Sequence, residues 1–244
     1  MSALRQAQDR PLLELRDLNV WIGESHVLHG VSCEIEEGGV TALLGRNGAG
    51  KTTTLKGILG MLRRTGRVSL AGTPIERMRT DRIVNLGVAY VPEDREVFSE
   101  LTVEENLRLA ERGARQLQYD VVYELFPEMK TRARQRAGTL SGGQQQMLAI
   151  ARVLLNRDNR ILLVDEPTKG LSPLMLRNVV DSLERAASLV TMLLVEQNLP
   201  VANRLAKRAI VLDQGRVGYR GSVAELIENP DLARTHLGLA KGRA

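Results

Sequence analysis

The stretch Gly45-Arg46-Asn47-Gly48-Ala49-Gly50-Lys51-Thr52 fits the pattern G-x-x-x-x-G-K-[ST]. The apolar run at residues 40–44 before it predicts a short buried strand, and residues 53–60 after it predict a helix. Glycines at these spacings let the backbone turn tightly, with its N–H groups facing inward toward a chain of phosphates. The start of the helix adds free donors and a partial positive charge. The stretch therefore predicts a nucleoside triphosphate site, the alternative being an ordinary glycine-rich turn.

Individual residues of this loop have expected parts in binding. Lys51 should reach the outer phosphates, and the Thr52 hydroxyl should hold a Mg²⁺ ion. These expectations depend on the strand–loop–helix context around the motif. The predicted nucleotide-binding residues of the loop are Gly45, Arg46, Asn47, Gly48, Ala49, Gly50, Lys51, Thr52 and Thr53.

Composition limits the classes of protein to consider. The 244 residues, of which 43% are apolar and 26% charged, are ordinary for a soluble globular protein with a sizeable core. Aromatic residues make up only 3%, which argues against base-stacking platforms for single-stranded nucleic acid. The single cysteine, Cys33, excludes an internal disulfide framework and fits a reducing cytosol.

Neither a membrane span nor a secretion signal is predicted. No apolar run approaches the roughly 18 residues that a spanning helix needs. The first ten residues carry Arg5 and Arg10 without an apolar centre and are expected to form a frayed tail. The net charge is +5, and residues 130–136 form a dense basic run. Such runs are usually solvated faces, with nucleic acid or an anionic membrane surface as the alternative.

Hydrophobic periodicity predicts a sheet-forming core interrupted by helices. A capping-box sequence that starts at Thr102 opens a helical pattern, and the apolar run at residues 161–164 is typical of a sheet covered on both faces. Further strands are predicted at residues 12–22 (with a kink), 27–35, 66–70, 87–91, 190–195, 210–212 and 216–219. Further helices are predicted at residues 119–126, 145–155, 173–187, 199–206 and 223–228.

One domain is expected over residues 1–244. Its core should comprise about residues 11–94 and 157–238, with a helical subdomain of about 95–156 inserted between strands of the main sheet. Short tails are expected at residues 1–10 and 239–244.

Two carboxylates, Asp165 and Glu166, directly follow the apolar run. An aspartate at the end of a buried strand, in a chain with a phosphate loop, is the expected second feature that binds Mg²⁺. Glu166 is placed to orient an attacking water or to accept its proton. The alternative is two carboxylates that merely cap a strand end, which the presence of Lys51 and Thr52 disfavours.

A second anion site is predicted at Leu140-Ser141-Gly142-Gly143-Gln144. Ser141 is a candidate N-cap, and the glycines leave helix N–H groups accessible. A phosphate loop, an L-S-G-G-Q segment and a strand that ends in Asp-Glu are together diagnostic of ATP-binding cassette ATPases. The chain resembles that family over nearly its full length.

The resemblance implies an α/β fold of the P-loop NTPase type. It comprises a RecA-like core sheet, a small antiparallel β part and an inserted helical subdomain that contacts membrane-spanning permease subunits. In the family two cassettes pair head to tail, so that each ATP lies between Lys51 of one and the L-S-G-G-Q segment of the other. ATP and Mg²⁺ are the implied cofactors, and the implied catalytic residues are Lys51, Glu166 and Gln197.

Several positions differ from the usual residue of the family. Glu93 stands where most cassettes carry glutamine, and a carboxylate there is expected to ligate the metal beside Thr52 and Asp165. Gln197 replaces the usual histidine; it can hydrogen-bond a γ-phosphate but cannot carry a proton to it. Most members of the family carry an aspartate some six residues after the catalytic glutamate; in this chain Ser172 takes its place.

The adenine-stacking aromatic residue of the family also differs. It usually stands where this chain has Ile22, so the neighbouring Trp21 is the candidate for binding adenine.

These differences, with Tyr90-Val91-Pro92-Glu93 and residues 101–107, resemble one branch of the family. That branch is the second ATPase subunit of bacterial importers for branched-chain amino acids, with urea or amide relatives. The resemblance implies a peripheral protein on the cytoplasmic face of the plasma membrane. Its partners would be permease subunits, a second cassette (a copy or a related subunit) and, indirectly, a solute-binding protein, with no nucleic acid.

Three other functions remain open. A soluble cassette that acts on DNA is disfavoured, because about 88 residues without sustained heptads separate Thr52 from Leu140, too few for a long coiled coil. A translation factor is disfavoured because those carry two cassettes in one chain. An exporter subunit shares every residue of the ATP site, and a binding module without turnover is separated by an ATPase assay.

Overall fold

Residues 11–111 and 115–237 are described by a computed structural model of the chain. The tails expected at residues 1–10 and 239–244 lie outside the described residues. The strands are β1 (Leu13–Ile22), β2 (Ser25–Ile35), β3 (Val40–Gly45), β4 (Arg63–Leu70), β5 (Thr73–Pro74), β6 (Val88–Val91), β7 (Ile161–Asp165), β8 (Thr191–Val195), β9 (Arg208–Asp213) and β10 (Arg216–Ser222). The helices are α1 (Lys51–Ile58), α2 (Thr80–Asn85), α3 (Val103–Ala110), α4 (Tyr119–Leu125), α5 (Pro127–Thr131), α6 (Gly142–Leu154), α7 (Pro173–Ala186), α8 (Leu199–Leu205), α9 (Val223–Glu228) and α10 (Pro230–Leu237).

Two sheets form the β part of the described chain. The larger has the strand order β10-β9-β3-β8-β7-β6, and its neighbours pair in parallel except for β9 and β10. The smaller is antiparallel, in the order β2-β1-β4-β5. The predicted α/β fold, with a parallel core sheet and a small antiparallel part, is therefore confirmed.

The parallel strands separate two hydrophobic cores. In β7, Leu162 and Val164 pack with the helices α3 to α7, whereas Ile161 and Leu163 face the small sheet and α1. Because both faces of the strand are buried, every position must be apolar. The continuous apolar run at residues 161–164 is explained by this double coverage.

The predicted kink in β1 is present. Asp17 has a left-handed backbone (φ 50°), and the pairing with β4 shifts register between Arg16 and Asn19. Opposite the kink, a side chain on Gly66 would lie 2.3 Å from the carbonyl oxygen of Asp17. Only glycine permits that approach of two backbones.

The helical segment lies between β6 and β7, as expected, and comprises α3 to α6 with a short 3₁₀ turn at Ala137–Thr139. The predicted helix at residues 119–126 ends one residue earlier, and a separate helix then begins with Pro127 at its first position. Proline is common at the first position of a helix, because a backbone N–H there has no partner within the helix and its absence costs nothing. The helix α2 was not predicted, since it has six residues and buries only Ile83.

No helix in the described ranges has the length and apolar character needed to cross a lipid bilayer.

Candidate nucleotide-binding site

The phosphate loop leaves the carboxyl end of β3 and leads directly into α1. At Gly45, whose φ is 147°, a side chain would lie 2.4 Å from the carbonyl oxygen of Leu212. Gly50 is the N-cap of α1 with φ 104°, and a side chain there would meet Leu28. This left-handed cap starts α1 at Lys51, two residues before the predicted position. Glycine at these two points is thus required by packing as well as by torsion.

Lys51 folds inward across the loop and is almost fully buried, with 5% of its surface exposed. Its Nζ donates to the carbonyl oxygens of Gly45 (3.0 Å) and Arg46 (3.2 Å) and lies 3.5 Å from Glu166 Oε1. A buried ammonium group is stable only when oxygens of this kind surround it. The structure therefore holds the charge of Lys51 between the loop and a carboxylate, where the outer phosphates of a nucleotide would be its competing partners.

Thr52 and Asp165 meet at the end of β7. The Thr52 hydroxyl donates to Asp165 Oδ1 (3.1 Å), and the Tyr90 hydroxyl donates to Oδ2 (3.3 Å). Burial raises the pKa of Asp165, and these two hydrogen bonds oppose that rise. The sequence predicted the pair of Thr52 and Asp165, while the contribution of Tyr90 was not predicted.

Glu166 is the most constrained carboxylate of the site. Its backbone is left-handed (φ 44°), which is uncommon and strained for a residue other than glycine. Oε1 accepts a hydrogen bond from Gln197 Nε2 (2.5 Å), and Oε2 lies 3.6 Å from Lys169 Nζ. The structure thus brings together three residues predicted from separate motifs: Lys51, Glu166 and Gln197.

Glu93 lies in the loop after β6, and its carboxylate forms an ion pair with Lys169. No hydrogen bond joins Glu93 to Thr52 or Asp165 within the described ranges. Nor do those ranges contain three or more His, Cys, Asp or Glu residues grouped closely enough to hold a metal ion. Thr52 and Asp165 by themselves supply two adjacent oxygen ligands of the kind that Mg²⁺ prefers.

Glu196 is a buried carboxylate next to Gln197. It accepts hydrogen bonds from the Thr168 hydroxyl (2.6 Å) and from the backbone N–H groups of Gln197 (3.1 Å) and Asn198 (3.2 Å). Burial raises the pKa of Glu196, and the three hydrogen bonds oppose this. Glu196 thereby fixes the segment after Glu166 to the segment that carries Gln197.

The L-S-G-G-Q segment begins the long helix α6. Ser141 and Gln144 form a capping box, in which the Ser141 hydroxyl accepts from the Gln144 N–H (3.3 Å) and Gln144 Oε1 accepts from the Ser141 N–H (3.0 Å). A side chain on Gly142 would lie 2.8 Å from a guanidinium nitrogen of Arg95, and one on Gly143 would overlap Met175. Close packing with Arg95 and Met175 therefore favours glycine at both positions.

The two predicted anion sites are separate within one chain. Across the described residues, no hydrogen bond or ion pair joins residues 140–144 to the phosphate loop. The phosphate loop belongs to the parallel sheet, whereas Ser141 belongs to the helical segment.

This chain is similar to known proteins in both sequence and fold. A model of the ABC transporter family matches residues 28–169, more than half of the chain. The chain belongs to the ABC transporter family. In that family the chain is an ATP-hydrolysing cassette, and the predicted resemblance to ATP-binding cassette ATPases is confirmed.

Curated relatives of this cassette cover nearly its whole length. It is 40% identical to the high-affinity branched-chain amino acid transport ATP-binding protein BraG of Pseudomonas aeruginosa, over 93% of this chain and 100% of that protein. It is 36% identical to the probable branched-chain amino acid transport ATP-binding protein LivF of Archaeoglobus fulgidus, over 93% of this chain and 99% of that protein. A solved structure of an ATP-binding subunit of an ABC transporter matches with a TM-score of 0.76 and 28% identity, over 91% of this chain and 94% of that one.

Trp21 packs against two neighbouring side chains of the small sheet. Its ring stacks on His26 with centroids 4.4 Å apart, and the Arg63 guanidinium lies 4.8 Å from the ring centroid. Val20, whose side chain faces Gly57 of α1, and Ile22 share the opposite face of β1. Ile22 is half exposed, and contact of Trp21 with adenine stays a prediction.

Four residues of the site were not assigned a role from the sequence. Tyr90 donates to Asp165, and Lys169 lies against Glu93 and Glu166. Glu196 accepts from the Gln197 N–H, and Thr168 donates to Glu196. The sequence offered one indication of a role for Glu196. It directly follows the buried strand β8, much as Asp165 is the last residue of the buried strand β7.

Proposed function

We propose that this cassette is the ATPase subunit of an importer for branched-chain amino acids or related small solutes. The observation that carries the proposal is the 40% identity with BraG over the whole of that protein. The LivF relative extends the same likeness to a second organism.

The nucleotide would bind through the loop formed by Gly45 to Thr53. Backbone N–H groups of the loop and of α1 would surround the phosphates, and Lys51 would exchange its carbonyl partners for phosphate oxygens. Thr52, Asp165 and Glu93 would hold Mg²⁺, since all three offer the oxygen ligands that this ion prefers. When bound, Mg²⁺ neutralises charge on the phosphates.

Hydrolysis would depend on Glu166 and Gln197. Glu166 would orient a water and accept its proton at a carboxylate oxygen, while the water oxygen bonds to the γ-phosphorus and the bond to the leaving ADP oxygen breaks. Gln197 would hold Glu166 through the Nε2–Oε1 hydrogen bond and contact the γ-phosphate. Because Gln197 has no titratable proton, the proton-accepting role falls to Glu166.

A second cassette would complete each ATP site with its own L-S-G-G-Q segment. The lack of any hydrogen bond or ion pair between residues 140–144 and the phosphate loop, among the described residues, supports this. The helical subdomain at about residues 95–156 would contact permease subunits, which places the cassette on the cytoplasmic face of the plasma membrane. An external solute-binding protein would be an indirect partner.

The test is to isolate the tagged full chain from native membranes in mild detergent and to identify what accompanies it. We expect two permease subunits, a second cassette and a solute-binding protein, and ATP-dependent uptake of labelled leucine or valine by vesicles containing the complex. A Lys51→Ala chain should assemble equally well and support no uptake. Recovery with ribosomes or DNA, or recovery alone, would contradict the importer assignment.

Export is the second candidate. The chain is 34% identical, over 89% of its length, to the Nod factor export ATP-binding protein I of Burkholderia lata. The direction of solute movement in the same vesicle assay separates the two functions, since an export subunit would support no uptake.

A further inference from the structure

Lys169 bridges two carboxylates of the hydrolytic site. It lies three residues after Glu166, and its backbone N–H donates to the Glu166 carbonyl (3.1 Å), so a turn brings the two side chains together. Its Nζ is 3.6 Å from Glu166 Oε2 and forms an ion pair with Glu93 Oε1. The Lys169 side chain is 57% exposed and that of Glu166 is 9% exposed. A solvent-accessible ammonium group therefore forms an ion pair with a buried carboxylate.

The loop that presents Glu93 is braced against α6. Arg95 and Glu96 both have left-handed backbones, which turn the chain sharply after Glu93. The Arg152 guanidinium of α6 donates to the Glu96 carbonyl (2.9 Å) and lies 5.0 Å from the centroid of the Phe98 ring. Glu93 therefore approaches Lys169 from a restrained loop.

The charges around Glu166 are divided between its two oxygens. Lys51 and the amide of Gln197 approach Oε1, while Lys169 approaches Oε2. An ammonium group has three donors, so Lys169 can serve Glu93 and Glu166 together.

We propose that Lys169 is a positioning residue that restrains Glu93 and Glu166 together and that competes with Mg²⁺ for the Glu93 carboxylate. This inference rests on the proposed ATP site and concerns the charge that glutamate brings to a position where most cassettes carry glutamine. When the metal engages Glu93, Lys169 keeps Glu166 as its remaining partner. Lys169 thereby links occupation of the metal site to the charge beside the catalytic carboxylate.

Competition between Lys169 and the metal ion predicts the direction in which metal and nucleotide affinities change. Removing the positive charge of Lys169 makes the site more negative, which favours a divalent cation and disfavours a nucleotide without metal. Because the pair is partly exposed and screened by salt, we expect changes of about two- to fivefold.

The experiment measures Mn²⁺ binding to the full chain by electron paramagnetic resonance in the presence of a non-hydrolysable ATP analogue. Mn²⁺ is a suitable probe because it shares the preference of Mg²⁺ for carboxylate oxygens. Lys169→Gln should bind Mn²⁺ more tightly than the native chain by about two- to fivefold, and it should bind the analogue in EDTA more weakly by a similar factor. Lys169→Arg, which keeps the charge, should behave like the native chain.

The dependence on Glu93 is the decisive comparison. In a Glu93→Gln background, Lys169→Gln should have less than half of its effect on Mn²⁺ affinity, because the carboxylate under competition is gone. The matched control is Lys207→Gln, which removes an exposed lysine at the amino end of β9, the end of the sheet opposite the phosphate loop.

Two results would overturn the inference: an equal effect of Lys169→Gln in both backgrounds, or an effect no larger than that of Lys207→Gln. Neither result touches the importer proposal, which is tested by recovery of permease subunits and by uptake. A native chain that bound no Mn²⁺ with the analogue would instead remove the proposed metal site itself, and the inference with it.

Discussion

The phosphate loop and the L-S-G-G-Q segment are both anion sites at helix N-termini, yet their surroundings differ. Lys51 is buried among two carbonyl oxygens and Glu166, and Thr52 is bonded to Asp165. Ser141, in contrast, is exposed, and its hydroxyl is engaged only by Gln144 of its own capping box. The first half of the site is assembled within the chain, whereas no hydrogen bond or ion pair among the described residues joins the second half to the phosphate loop. This difference supports the proposal that a second cassette completes each ATP site.

The largest effect should come from Glu166→Gln, which should lower the rate of hydrolysis without changing ATP binding to the phosphate loop. The amide cannot accept a proton from water, so hydrolysis should fall by about 10²- to 10⁴-fold. ATP affinity should stay close to native, because the loop is unchanged. Phosphate release and equilibrium binding of a fluorescent ATP analogue measure the two quantities. Hydrolysis at the native rate would remove Glu166 from the mechanism.

Next in size is Lys51→Ala, which should weaken nucleotide binding to the phosphate loop. Loss of a charged hydrogen-bond donor to phosphate should weaken ATP binding by about 100-fold. Titration of the purified chain with the fluorescent analogue checks this, and Lys207→Ala is the control for loss of one lysine. An affinity within threefold of native would show that Lys51 does not contact the phosphates.

Ser141→Ala should separate the second half from the first. The loss of an N-cap should lower the free energy of unfolding by about 1 kcal/mol. Thr102→Ala is a matched control, since Thr102 caps α3 with the same capping-box geometry. Chemical denaturation should give similar losses for both variants, while only Ser141→Ala should reduce hydrolysis, by about tenfold for one lost contact. If Ser141→Ala and Thr102→Ala lowered hydrolysis equally, Ser141 would act only as a helix cap and not in the nucleotide site.

The smallest effect concerns pH and Asp165→Asn. Burial raises the pKa of Asp165 in the folded chain above that in the unfolded chain. The folded chain therefore binds this proton more readily, and stability from this group is lost as pH rises through the folded pKa. The amide of Asp165→Asn has no proton to lose, so the variant should have a larger free energy of unfolding than the native chain at pH 7.5. The difference between the two proteins should shrink toward pH 4. Urea unfolding without nucleotide at both pH values measures it, and an opposite trend would contradict the assignment.

Local motifs were predictable from the sequence because each is contained in a few consecutive residues. The phosphate loop, Asp165 with Glu166, and the Ser141 cap all combine a strand or helix boundary with a residue type that has one common use there. The kink of β1 was predictable because the alternation of apolar residues breaks at Asp17.

Contacts between distant segments were not predictable. Lys169 meets Glu93 across 76 positions, and Thr168 meets Glu196 across 28. Neither pair has a periodic signal, because the partners are brought together by the order of β6, β7 and β8 in the sheet. The stacking of Trp21 on His26 was likewise not predicted, because it pairs residues of two different strands.

The most direct test of the shared site compares binding and hydrolysis in the membrane complex carrying Ser141→Arg, with Thr102→Arg as the control. Photolabelling with azido-ATP reports nucleotide bound by this chain, and phosphate release reports turnover. The account predicts that Ser141→Arg leaves labelling of this chain at the native level and lowers hydrolysis by at least half, because its own phosphate loop is intact while the site it completes is blocked. Loss of labelling of this chain in parallel with hydrolysis would contradict the account, because residues 140–144 would then belong to the nucleotide site of their own chain.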